Sequence, residues 1–223
     1  MVNKTRLLID AGNSRIKWTL ADDKAQSFEI YTHTNLGSAV KDWKALTKPD
    51  QVWLASVRDK QFSLDVSSAA QSLWALPINT ISSTCHALGV TNAYAEPEQL
   101  GCDRWAAMLA AYHEHKTSLL VVNLGTALTI DAIDANGQHL GGLISPGIHL
   151  QQTALTNGTN IQVASGWEMS DRPQLFAAST AEGIAAGALY ALSGLIDKAY
   201  QHRIKLDPDT VCYLAGGDAE KIQ

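Results

Sequence analysis

Three short stretches of this chain combine residue types that can manage phosphate and an alcohol. The first is Asp10-Ala11-Gly12-Asn13-Ser14, directly after an apolar run. A carboxylate at a strand end can hold Mg²⁺, usually through water. Gly12 lets the backbone turn tightly and approach phosphate oxygens, and Asn13 and Ser14 add donors. The competing reading is an ordinary hairpin whose aspartate caps the turn. The second stretch is Asn123-Leu124-Gly125-Thr126. Its Gly125 and Thr126 can wrap the other side of nucleotide phosphates, but Asn123 is neutral where the first loop has an acid. Asp131, eight residues on, reads as a solvated strand residue.

The third stretch is Gly101-Cys102-Asp103-Arg104. Asp103 at a helix start can accept a hydroxyl proton during phosphoryl transfer, a reaction that depends mostly on positioning and charge neutralisation. It can equally be a helix N-cap. Arg104 opposes the helix dipole there, which points to an anionic partner held in a fork; the alternative is a surface arginine. Cys102 reads as a small buried thiol. Gly141 to Gly147 is rich in turn-setting residues, either a strand-to-helix corner or a place where backbone meets a ligand. Ser179-Thr180-Ala181-Glu182 is a capping box that opens a long helix and puts Thr180 in its first turn. Gly183, Gly187 and Ala191 give that helix a small face for close packing.

The elements that must carry these residues follow from apolar periodicity. Strands are expected at 6–10, 14–20 and 25–31, a helix at 36–46, a strand at 51–57, a helix at 62–76 stopped by Pro77, a strand at 78–81 and a helix at 103–115. The second half begins alike, with strands at 118–122, 127–133 and 138–144, then a helix at 180–201 and a strand at 211–215. LLIDAGNS at 7–14 aligns with VVNLGTA at 121–127, setting Asp10 on Asn123 and Gly12 on Gly125. Element order and motif together indicate a duplication, with lobes at 1–116 and 117–223.

Composition narrows the function classes. The 223 residues carry a net charge of −5 and no basic run, against a nucleic-acid partner. No segment is apolar enough to span a membrane, and Leu7–Ile9 is too short for a signal peptide. Cys85, Cys102 and Cys212 suit neither a disulfide framework nor a zinc site, so a reduced cytoplasmic protein is expected. No HExxH pair and no Walker-type phosphate loop exists, so ATP would bind without a P-loop.

Six segments in order resemble the type III pantothenate kinases: LLIDAGNSRIKW, NAYAEPEQLGCDRWAAMLAAY, VVNLGTALTIDAI, GGLISPGIHL, STAEGIAAGALY and LAGGDA. The resemblance implies an α/β fold of two ribonuclease-H-like lobes, mixed β-sheets flanked by helices with an interlobe cleft. It implies ATP-dependent phosphorylation of pantothenate, the first step of coenzyme A biosynthesis, with Mg²⁺, a monovalent cation (K⁺ or NH₄⁺) and a homodimer. By position it gives Asp10 and Asn13 to the phosphate and metal site, with Gly12 and Ser14 in the same loop. Lys17 would reach phosphate, and Gly125 and Thr126 would form the second nucleotide loop. Asp103 would be the general base, and Tyr94, Gly101, Arg104 and Thr180 would contact pantothenate. The family commonly has Asp where this chain has Asn123, which sets the monovalent-cation site apart. Such proteins also usually run on beyond Gly216-Gly217-Asp218, so a missing tail is expected. The alternatives are a non-catalytic transcriptional accessory factor of the same fold, or a kinase for another small hydroxy acid.

Overall fold

The computed structural model describes residues 4–23, 28–161 and 173–222. They pack as two compact units, Met1–Thr84 with Glu98–Ala106 and Cys85–Pro97 with Ala107–Gln223. This division differs from a single cut at 116/117, because residues 85–97 and 107–116 pack with the second half.

The first unit contains β1 (Thr5–Ala11), β2 (Ile16–Asp22), β3 (Tyr31–His33), α1 (Leu36–Trp43), β4 (Gln51–Ser56), α2 (Lys60–Trp74) and β5 (Ile78–Thr80). Its sheet runs β3-β2-β1-β4-β5. β2 is antiparallel to β1, while β4 and β5 continue the sheet in parallel. Residues 25–27 of the expected third strand lie outside the described residues; the strand found begins at Tyr31, whose ring stacks on Trp18 at 4.3 Å between centroids. Alternation is clean in β1 and β2. Leu7, Ile9, Ile16 and Trp18 turn to the core, where Trp43, Val66 and Trp74 from the helices meet them. The helices start where side chains can cap them: Asn35 accepts from the Ser38 N–H and Asp59 from the Phe62 N–H, each at 2.9 Å. α2 ends at Ala75, which is left-handed (φ 54°), two residues before the proline that was expected to stop it.

The second unit contains the short strands β6 (His86–Ala87) and β7 (Val90–Thr91), then β8 (Leu119–Leu124), β9 (Ala127–Ile133), β10 (His139–Pro146), α4 (Ile148–Gly158), α5 (Thr180–Leu206) and β11 (Val211–Ala215). α3 (Cys102–His115) starts in the first unit and ends in the second. The sheet order is β10-β9-β8-β11. β8 pairs antiparallel with β9 and parallel with β11, repeating the arrangement of β1 with β2 and β4. The alignment of Asp10 with Asn123 therefore has a topological counterpart: each is the next-to-last residue of its central strand. The apolar core here joins Leu120, Val122, Leu128 and Ile130 to Leu189 and Leu192 of α5. Three elements escaped sequence reading. β6 and β7 are two residues each, and α4 opens on Gly147, which has no capping side chain.

Trp43 is fully buried, and its indole N–H has no acceptor. Trp43→Ala should lower unfolding free energy by ~3–5 kcal/mol in urea melts. Trp43→Phe should cost clearly less, because it also removes an unsatisfied donor.

Candidate active site

The first unit holds both acids. Asp10 stands directly opposite Lys17 on β2 and Ala55 on β4. It lies within the strand ladder, on the face away from Leu7 and Ile9, and so does not cap the turn. Solvent reaches its side chain, yet the protein packed around the carboxyl raises its pKa above the ordinary value. Lys17 pulls the pKa down, and the neighbouring charge of Asp103 pushes it up. Asp10, Lys17 and Asp103 thus form one electrostatic neighbourhood, assembled from β1, β2 and the first turn of α3.

Gly12 behaves differently from expectation. Its φ is not positive, and a Cβ there would meet only the Arg15 carbonyl at 3.6 Å, so the turn does not need glycine for steric reasons. What glycine leaves is bare backbone. The Gly12 carbonyl accepts a 2.7 Å bond from Arg58 Nε, whose guanidinium sits over the Phe62 ring at 4.7 Å. Asn13 and Ser14 are exposed at the loop tip.

Asp103 is the second residue of α3, inside the helix rather than capping it. Its Oδ1 accepts from the Arg104 N–H at 2.8 Å, and a Cβ on Gly101 would come within 2.6 Å of that oxygen. Gly101 is thus fixed by the acid's position. Arg104 is only 7% exposed, which removes the surface-arginine alternative. A cavity of about 320 Å³ adjoins this turn, lined among others by Ser56, Ser83 and Gly101. Cys102 donates its thiol to the Ser56 carbonyl at 3.3 Å, and burial pushes its pKa up, as a structural thiol should.

In the second unit, Asn123 pairs with Thr129 and Ala215. A Cβ on Gly125 would meet nothing within 4 Å, so this turn does not need glycine there; the Gly125 N–H donates to the Ala127 carbonyl at 3.1 Å, and Thr126 is exposed. Around this turn, sterics demand glycine at two positions to which sequence reading gave no such role. A Cβ on Gly147 would lie 2.2 Å from the Gly125 carbonyl oxygen. One on Gly216 (φ 109°) would lie 2.1 Å from the Leu124 carbonyl oxygen. The 124–126 turn is wedged between the start of α4 and the Gly216-Gly217-Asp218 turn. Ser179 caps α5 by accepting from the Glu182 N–H at 3.3 Å, and Thr180 is exposed in its first turn. Tyr94 is half-buried, its ring stacked on His139 at 6.1 Å. Asp131 corrects expectation: it is 2% exposed and bonded to His139 Nε2 at 3.1 Å. His139, on the neighbouring strand β10, meets the carboxylate, so this face of β9 is covered rather than solvated.

Among the described residues no three His, Cys, Asp or Glu side chains gather as a metal cage. Two neighbouring carboxylates with hard oxygens still suit a divalent ion held mainly by phosphate and water, with Asp10 as the protein's contribution.

Two sheets alike in topology and flanked by helices define a mixed α/β fold of the ribonuclease-H-like kind. The structural neighbours agree on fold. A Campylobacter jejuni protein, solved as a candidate Baf family transcriptional activator, has TM-score 0.60 at 22% identity over 97% of this chain and 85% of its own. Ethanolamine utilization protein EutJ from Carboxydothermus hydrogenoformans has TM-score 0.52 at 14% identity, over 98% and 78%. Sequence gives the family. Residues 6–202 match the type III pantothenate kinase family model. Proteins named type III pantothenate kinase from Burkholderia ambifaria and Burkholderia multivorans are 38% and 39% identical, each over 99% of this chain and 88% of its own length. The chain belongs to the type III pantothenate kinase family.

Two outcomes follow from this geometry. Because Asp10 has a raised native pKa, the native state favours its protonated form; stability present at low pH is lost as pH rises through that pKa. Asp10→Asn should therefore raise Tm at neutral pH by roughly 1–3 °C and lose that advantage near pH 3.5, as scanning calorimetry can check. Gly216→Ala should lower Tm by several degrees and weaken nucleotide binding, while Gly125→Ala, with open space around it, should leave Tm within about 1 °C.

Proposed function

We propose the following division of labour for the reaction that family membership assigns, ATP-dependent phosphorylation of pantothenate. Asp103 accepts the proton of the pantothenate hydroxyl. That oxygen then bonds to the γ-phosphorus as the bond to the bridging β–γ oxygen breaks, releasing ADP. Arg104 holds the substrate carboxylate in a fork, and Gly101 lets the acid and the substrate approach. In the first unit Asn13, Ser14 and the Gly12 backbone donate to phosphate, and Lys17 neutralises it. In the second unit Gly125 and Thr126 offer backbone and hydroxyl to the nucleotide, and Tyr94 and Thr180 contact pantothenate. Asp10 would hold Mg²⁺ through water; when bound, the ion supplies neutralisation of phosphate charge. The observation that supports this reading is the closeness of Asp103 to Asp10, whose pKa its charge helps to raise: an acid for the metal beside an acid for the proton.

Asn123 is the position for a monovalent cation. One neutral amide oxygen holds K⁺ or NH₄⁺ weakly, so turnover should change little between K⁺ and Na⁺ buffers. The homodimer is proposed on the α5 face where a Cβ at Gly183, Gly187 or Gly194 would meet nothing and Tyr190 is exposed. No described helix is long and apolar enough to cross a membrane, and a cytoplasmic site of action is part of the same proposal.

Asp103→Asn should reduce kcat by about 10²–10⁴-fold with little change in KM for pantothenate or in Tm. Normal turnover would remove Asp103 as the base. ATP consumption should depend on pantothenate and stay at background with other small hydroxy acids; a faster rate with one of those would reassign the substrate.

A further inference from the structure

His139 is buried at 1% exposure on β10, beyond the residues that the reaction uses, and every polar atom of its ring is engaged. Its Nδ1 faces the backbone N–H of Ala93 at 3.4 Å. An amide N–H can only donate, so Nδ1 is an acceptor and the ring proton resides on Nε2. There it donates to the Asp131 carboxylate at 3.1 Å. The carboxylate fixes the tautomer, and the tautomer presents a lone pair to the segment that carries Tyr94. The ring face does a second job, stacking on Tyr94 with planes 12° apart.

The rest of this segment is tied down in the same way. The Tyr94 N–H donates to Asn92 Oδ1 at 3.0 Å, so two successive amides are held by side chains. The Thr91 N–H donates to the Gly137 carbonyl at 2.9 Å. Gly137 (φ 82°) must be glycine, since a Cβ would lie 2.0 Å from the Gly89 carbonyl oxygen. The Tyr112 hydroxyl donates to the Ala135 carbonyl at 3.1 Å. Segment 89–94 is thus laid against the β9–β10 hairpin, and His139 is the buried pin nearest Tyr94.

We propose that the Asp131–His139 pair is a positioning device for pantothenate binding: Asp131 sets the His139 tautomer, and His139 holds the Ala93–Tyr94 backbone and the Tyr94 ring in the orientation that receives substrate. This rests on the reading of Tyr94 as a pantothenate contact. Neither residue touches the reacting atoms, so kcat and the KM for ATP are independent of the pair.

The test compares three variants of the full chain by steady-state kinetics and by amide hydrogen exchange of peptides covering 90–97. His139→Phe keeps a flat ring for Tyr94 but accepts nothing from Ala93. His139→Asn can place its amide oxygen where Nδ1 lies and restore that bond. Tyr94→Ala tests the underlying reading. We expect His139→Phe to speed exchange at 93–94 and raise KM for pantothenate about ten-fold, with kcat and KM for ATP within about two-fold. His139→Asn should recover most of both effects. Unchanged exchange in His139→Phe overturns the inference whatever Tyr94 does, and so does faster exchange with unaltered pantothenate KM while Tyr94→Ala raises it. Equal damage in His139→Asn and His139→Phe, with falling kcat, would make the pair merely structural and also overturn it. An unaltered pantothenate KM in Tyr94→Ala overturns the reading of Tyr94 itself, a failure distinct from that of the pin.

Discussion

A carboxylate packed into protein beside a second carboxylate sets the central constraint in this molecule. Asp10 is the next-to-last residue of β1 and Asp103 the second of α3; burial does most to raise the pKa of Asp10, and the charge of Asp103 adds to it. A fold gains nothing in stability from such an arrangement. Lys17, opposite Asp10 across the β1–β2 ladder, relieves it in part. A divalent ion held by Asp10, as proposed, would relieve it further. The surrounding architecture can be understood as what is required to keep these acids close: parallel pairing of β1 with β4, a glycine at 101 to admit the Asp103 carboxylate, and a buried Arg104 behind it.

The second unit reuses the same topology for a different task. Its central strand carries an amide, Asn123, where the first carries an acid, Asp10, so the shared topology holds and the charge does not. The loop after that strand owes its shape to neighbours. Gly147 and Gly216 allow two backbones to press against the Leu124 and Gly125 carbonyls at distances no side chain would permit. Gly12 and Gly125, the glycines within the two loops, are by contrast sterically free.

Much of this was legible in the sequence. Alternation in β1 and β2 and the repeat that aligned Asp10 with Asn123 carried the fold. Asp-x-Gly-Asn-Ser and Gly-Cys-Asp-Arg marked the candidate site, and the structure makes their two acids electrostatic neighbours. What stayed hidden depends on contacts distant in the chain. Asp131 resembled a solvated strand residue because nothing local reveals that its face of β9 is covered and that His139 lies beside it. The roles of Gly147 and Gly216 depend on a carbonyl some twenty and ninety residues away. α4 was missed because it opens on Gly147 with no capping side chain, and the boundary at 116/117 ignored that segment 85–97 packs with residues that follow it.

The coupling of the two acids can be measured directly. Carboxyl-carbon NMR titration of Asp10 should give a pKa above that of an ordinary aspartate in the wild-type chain, and a lower one in Asp103→Asn, where the neighbouring charge is gone. An Asp10 titration indifferent to that substitution would mean the two acids do not share a site, and the catalytic account would fall with it.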